Sequence, residues 1–290
     1  MRMRTHRPLL VIGIASMLTL SSAGCPRVYG SPGGTELAPE SPPAASFDGL
    51  ATRITNATDD AATKGATISV AVLDRATGQQ LSGGTNQLVA IASVAKLFIA
   101  DDLLSQGSGT PLSSTDRQAL DSMLRSSDDG AAETFWAARG GDTIINAVAN
   151  RYGLTSTTPP SDGQWWNTMS SASDLVHYYD TLLNGSGGLA GERAQIIVDD
   201  LTGSTATGAD GYPQRFGIPE GLYGEPVAVK QGWMCCMDGG SWMHLSTGII
   251  GADRRYVMVI ESLQASDDAT ARDTITQAVK TMFPSGRIGA

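Results

Sequence analysis

Histidine, cysteine and aromatic residues are all scarce in this chain. Three histidines, three cysteines and a 6% share of Phe, Trp and Tyr are spread over 290 residues. His177 and His244 stand isolated, and beyond the adjacent Cys235 and Cys236 the only cysteine is Cys25, so no metal centre is expected. The G-x-S-x-G turn of α/β-hydrolases is absent, which disfavours that class. Positive charge is short as well, with 20 basic against 29 acidic residues and a net charge of −9. Arg2, Arg4 and Arg7 lie in the first 24 residues, which hold no acid. The remainder therefore carries 17 bases against those 29 acids. Such a surface repels phosphate backbones, so no nucleic-acid partner is expected. No cofactor is expected either. Gly185-Ser186-Gly187-Gly188 follows a helical segment and reads as a helix stop, not a nucleotide loop.

The remaining composition is that of a globular protein. An apolar share of 41% supports a large core, and 34 glycines imply many turns. At this length the chain has room for one large domain or two small ones.

The amino terminus reads as an export signal over residues 1–24. Three arginines precede an apolar run at 9–20, too short to span a bilayer, and Ser21-Ser22-Ala23-Gly24 then lead to Cys25. Ala-Gly-Cys resembles a bacterial lipobox, in which the cysteine is acylated, although Ser22 stands where an aliphatic residue is usual. A plain signal peptide with an incidental cysteine is the alternative. Residues 25–46 carry Pro26, Pro32, Pro39, Pro42 and Pro43 among Gly, Ser and Ala, the composition of an extended tether. The expected location is the outer face of the cytoplasmic membrane, with Cys25 as lipid anchor. Cys235 and Cys236 can then pair only with each other, as a vicinal disulfide, or stay as two buried thiols on a strand.

Residues 47–290 read as one domain. Alternation at Ile68, Val70 and Val72 marks a strand entering the turn Asp74-Arg75-Ala76-Thr77-Gly78. Strand character returns at 226–233, 241–250 and 255–263, the last two joined by Gly251-Ala252-Asp253 as a hairpin. Helical patterns cover 47–62, 93–106, 115–125, 129–139, 142–151, 173–184, 190–200 and 268–283, with Ser173-Asp174 as a start and Asn184-Gly185 as a stop. Strands near both ends bracket a helical middle. The fold class is α+β: one antiparallel sheet flanked by terminal helices, with a helical subdomain inserted at about 93–205.

Three short elements carry the chemistry. Ser93-Val94-Ala95-Lys96 places a hydroxyl and an amine three residues apart at the start of the apolar run Leu97-Phe98-Ile99-Ala100. On a helix such residues are surface neighbours, so Lys96 can take the proton of Ser93 and activate it as a nucleophile. Ser127-Asp128-Asp129 and Lys230-Gln231-Gly232 follow in that order. The single motif is weak evidence; the ordered set is specific.

Together these elements resemble the serine β-lactamase and penicillin-binding protein superfamily, most closely its class A β-lactamase-like branch, over about 47–284. The resemblance implies a β-lactamase/transpeptidase-like fold. It implies Ser93 as acylated nucleophile, Lys96 as general base or proton relay, Ser127 as proton donor to the leaving nitrogen and Lys230 as attractor of a substrate carboxylate. Asp129, Gln231, Gly232 and Trp233 fall at substrate-binding positions, and the backbone N–H groups of Ser93 and Trp233 match the oxyanion hole. The implied ligand is a β-lactam or a peptidoglycan stem peptide, bound by a monomer.

The departures are specific. Class A enzymes carry a glutamate on the loop before the helix at 173 that activates the deacylating water, and here that segment offers only Asp162. Asp129 replaces an asparagine and could instead cap the helix beginning near 130. Gln231 replaces a hydroxyl, and the interval from Ser93 to Ser127 is short, which leaves the cleft more open. Trp165, Trp166, Trp233 and Trp242 read as core or rim in preference to ligand platforms. Two functions follow as alternatives. One is an anchored serine acyl-transfer enzyme with slow deacylation; the other is a binding lipoprotein that kept the fold and lost turnover, recognising cell-wall fragments or a protein partner.

Overall fold

The computed structural model describes residues 47–106, 111–237 and 239–288; the expected export signal, the tether and Cys25 lie outside the described residues. Strands β1 (Ala66–Asp74), β2 (Gln79–Gly84), β5 (Val227–Met237), β6 (Ser241–Ile250) and β7 (Tyr256–Gln264) form one antiparallel sheet in the order β2-β1-β7-β6-β5. Two short strands, β3 (Val89–Ala90) and β4 (Met169–Ser170), pair separately. The sheet thus joins both ends of the domain, and β6 and β7 form the expected hairpin.

Each face of the sheet is covered. Val70, Val72, Met258 and Ile260 pack against Leu50 and Ile54 of α1 (Leu50–Thr63) and Ile275 and Val279 of α9 (Asp268–Met282). Ala71, Leu73, Val257 and Val259 point into a second, larger core built with α2 (Lys96–Ser105), α3 (Ser114–Arg125), α4 (Asp129–Ala138), α5 (Asp142–Tyr152), α6 (Ala172–Asn184) and α7 (Gly191–Thr202). A short α8 (Ile218–Gly221) precedes β5. Because both faces are buried, the small residues of β1 that alternate with its large ones are interior too.

Helix α2 lies at the centre of the larger core, and Leu97, Phe98, Ile99 and Ala100 are all fully buried. Its two acids are carried inside and paired. Asp101 binds Arg151 at 2.5 Å and also takes bonds from Tyr152 and Tyr178, while Asp102 binds Arg139 at 2.6 Å. A buried carboxylate without such partners would be strongly destabilising. These bonds therefore fix α2 against α4, α5 and α6.

Differences from the sequence reading are local. Strand β2 was not legible: Gln79-Gln80-Leu81-Ser82-Gly83-Gly84 has little strand character. Glycine is required there, since a Cβ on Gly83 would sit 2.3 Å from Ile54 Cγ2 of α1. Helix α6 begins at Ala172, capped by Ser171, whose hydroxyl accepts from the Asp174 N–H. The Ser93 end of the helical pattern at 93–106 is a tighter 3₁₀ turn, Ala92–Ala95, continued by α2.

Candidate active site

The 3₁₀ turn places Ser93 one turn before the buried face of α2. Ala92, with φ 46°, bends the chain into it. Lys96, fully buried at the head of α2, donates to Ser93 Oγ at 2.7 Å, to the Ser127 carbonyl at 2.8 Å and to Asp129 Oδ1 at 2.5 Å. Three acceptors thus surround one amine. Its ring contact is Trp165, whose centroid lies 4.6 Å from Nζ. Burial lowers the pKa of Lys96, and the carboxylate of Asp129 opposes that shift.

Ser127 adopts φ 55°, a left-handed conformation that is costly for a non-glycine residue. That backbone lets its two oxygens face different lysines. The carbonyl accepts from Lys96, and the hydroxyl accepts a short bond from Lys230 Nζ. The adjoining turn is held by Asp128, whose carboxylate accepts from the Ala131 N–H and from the Ser122 hydroxyl. The cap of α4 is therefore Asp128, not Asp129. Asp129 is the first residue of the helix, with its side chain 71% exposed.

Lys230 projects from β5, the edge strand opposite β2, and is nearly as buried as Lys96. Burial drives its pKa well down, and the charge of Lys96 adds to the effect. Gly232 lets β5 approach the nucleophile turn, since a Cβ there would stand 2.8 Å from the Ile91 carbonyl oxygen.

Gln231 is not turned to the cleft. Its buried amide donates to the carbonyls of Gln214 at 2.9 Å and Phe216 at 2.6 Å, tying β5 to the preceding loop. Asp162 is likewise spent locally, accepting from the Gln164 N–H and the Asn167 side chain on an exposed loop. Cys235 and Cys236 form a disulfide at an exposed bulge in β5, so they are not buried thiols.

A small cavity of about 120 Å³ opens over Ser93, bordered by Asp129, Trp165, Trp166, Asp210 and Trp233. Trp165 is core and rim at once: it is buried, yet it borders the cavity. Asp210 was missed in the sequence because Gly208-Ala209-Asp210-Gly211 signals only a turn. Tyr212 beyond it stacks on Trp233 at 4.5 Å, and its hydroxyl meets His244 Nε2 at 2.7 Å and the Asp268 carboxylate. Burial takes the His244 pKa down to about 4, so this histidine is a neutral part of the scaffold under the rim. Among the described residues, no three His, Cys, Asp or Glu side chains are grouped to hold a metal ion.

The fold is α+β and β-lactamase-like. Among solved structures, a β-lactamase from Chitinophaga pinensis superposes with a TM-score of 0.64 at 14% identity, covering 81% of this chain and 100% of the other. A β-lactamase from Desulfarculus baarsii gives 0.63 at 18% identity, covering 82% and 97%. No family model matches the sequence. The chain belongs to the LppW family: it is 67% identical over 254 residues to the LppW proteins of Mycobacterium tuberculosis and Mycobacterium bovis, covering 87% of this chain and 80% of theirs.

Proposed function

We propose that the protein is an exported, lipid-anchored serine acyl-transfer enzyme that acts on β-lactams or peptidoglycan stem peptides through an ester on Ser93. The observation that carries this reading is a fully buried amine 2.7 Å from the Ser93 hydroxyl. A lysine kept from solvent and pushed toward its neutral form can take the proton of a serine that would otherwise be a weak nucleophile. Ser93 Oγ then attacks the acyl carbon, and the bond to the leaving nitrogen breaks as Ser127 hands over its proton. The lysine pair around Ser127 replaces that proton. The backbone N–H groups of Ser93 and Trp233 would stabilise the oxyanion. The anchor is Cys25, in keeping with relatives named as lipoproteins.

A fluorescent penicillin tests the reading. The protein should become covalently labelled, and Ser93→Ala or Lys96→Ala should abolish the label. An unlabelled wild type at high dose would favour a binding lipoprotein, and persistent labelling of Ser93→Ala would move the chemistry elsewhere.

A further inference from the structure

An ester on Ser93 is hydrolysed only if a base stands beside the acyl carbon. The loop that carries this base in class A enzymes supplies none here. It presents the Trp165 indole to Lys96, and its one carboxylate, Asp162, is bound up on the exposed surface. The carboxylate that reaches Lys96 comes from the 127–129 turn. We propose that Asp129 is the general base of deacylation and that water is the acyl acceptor, so that the protein is a hydrolase. This rests on the acyl-enzyme reading above.

The geometry is specific to these residues. Ser93 Oγ and Asp129 Oδ1 bond the same Lys96 Nζ, at 2.7 and 2.5 Å, so they lie no more than about 5 Å apart. One water molecule with ordinary hydrogen bonds spans that interval. Both residues border the same cavity over the nucleophile, and the exposed face of Asp129 lets water reach it. The carboxylate is also held firmly. It begins α4, whose cap Asp128 is fixed by Ser122, and on the other side it accepts from the fully buried Lys96. A base must be placed in this way before its basicity counts.

The step balances without any further reactant. Asp129 takes one proton of the water as the water oxygen bonds to the ester carbon. The tetrahedral oxyanion collapses, the bond from carbon to Ser93 Oγ breaks, and the acid departs. As that bond breaks, the proton on Asp129 passes through Lys96 to Ser93 Oγ, which leaves Asp129 ionised and Lys96 as it began. Lys96 thereby carries protons in both half-reactions, and Asp129 acts as a base only in the second.

The test follows acylation and deacylation separately, with a chromogenic cephalosporin and mass spectrometry of the full-length protein. Asp129→Asn should acylate at least as fast as wild type, while its acyl-enzyme persists on the order of 100-fold longer, the usual scale for loss of a general base. Formate should restore part of the deacylation of Asp129→Ala, which a purely structural role would not allow. Asp162→Ala should match wild type. An Asp129→Asn acyl-enzyme that decays at the wild-type rate, or slow decay in Asp162→Ala, overturns the assignment and leaves the acyl-enzyme reading intact. A wild type that never forms an acyl-enzyme overturns both. Acylation of the variant itself reports that its site is folded.

Discussion

Lys96 and Asp129 form a 2.5 Å ion pair in which the amine is fully buried and the carboxylate side chain is 71% exposed. The two ends of this pair face different media. Burial pushes Lys96 toward the neutral amine, and Asp129 pulls it back. Water weakens that pull, because an exposed carboxylate is screened. The balance sets how much of Lys96 can act as a base at a given pH.

That balance gives a pH profile with a definite sign. Acylation needs neutral Lys96, so its rate should rise with pH through the lysine's depressed pKa. Replacing Asp129 by Asn removes the charge that favours the ammonium form, and the whole rise should move to lower pH. Labelling rates of the two proteins between about pH 5 and 9 measure it. Coincident profiles, or a variant profile displaced to higher pH, would show that Asp129 does not govern Lys96.

Gln231 should matter for stability more than for substrate. Its amide satisfies two buried carbonyls, those of Gln214 and Phe216. In Gln231→Thr the Gln214 carbonyl would lose this donor and the Phe216 carbonyl would keep only the 3.4 Å bond from the Ser246 hydroxyl, at a cost of about 1–3 kcal/mol. Urea unfolding of the variant should show that loss. Added to Asp129→Asn, the threonine should give no further gain in acylation rate; an increase would mean that the hydroxyl reaches the cleft after all.

Gly232→Ala should separate β5 from the nucleophile turn. The new methyl would meet the Ile91 backbone oxygen, which cannot rotate away. Overpacking of this kind costs roughly 1–3 kcal/mol. A shift of under an ångström in the site should slow acylation by on the order of 100-fold. Labelling at the wild-type rate would mean that the strand tolerates the shift.

Glu261 should make the fold less stable as pH rises. It is buried in β7 opposite Ser69, neither carboxylate oxygen makes a hydrogen bond of normal geometry, and burial raises its pKa to about 7. The folded state holds the proton that the unfolded chain releases near its ordinary value of 4.5. Between those values the native state binds more protons than the unfolded one, so stability falls with rising pH until Glu261 ionises. The accumulated loss is roughly 3 kcal/mol at about 1.4 kcal/mol per pH unit. Chemical denaturation at several pH values should show this slope in wild type and a flatter one in Glu261→Gln. Equal slopes would assign the pH dependence to other groups.

Much of the protein was legible from its residues alone. Hydrophobic pattern located the long helices, most of which bury one stripe, and also β1 and the β6–β7 hairpin, whose runs are apolar or small because both faces are covered. The order of Ser93, Lys96, Ser127 and Lys230 marked the site, since the local turn fixes the first pair and the fold brings the others to it. Strand β2 escaped because an edge strand is defined by its neighbour's backbone, and its glycines are dictated by α1 at Gly83 and by the β1 backbone at Gly84. The disulfide between Cys235 and Cys236 could not be chosen over two buried thiols until the bulge in β5 placed both on the surface.

What the sequence determined by itself was the set of candidate reactive groups and the class of fold that holds them. What only the tertiary structure decided was where the flanking residues point. Asp129 could have been a cap, but Asp128 took that place and left its neighbour to Lys96. Gln231 stood at a substrate-binding position, but the loop at 214–216 captured its amide. Asp210 and Trp165 came to the cleft from distant segments. The reason is physical: a side chain's chemistry is local, whereas its direction and its water are set by what packs around it.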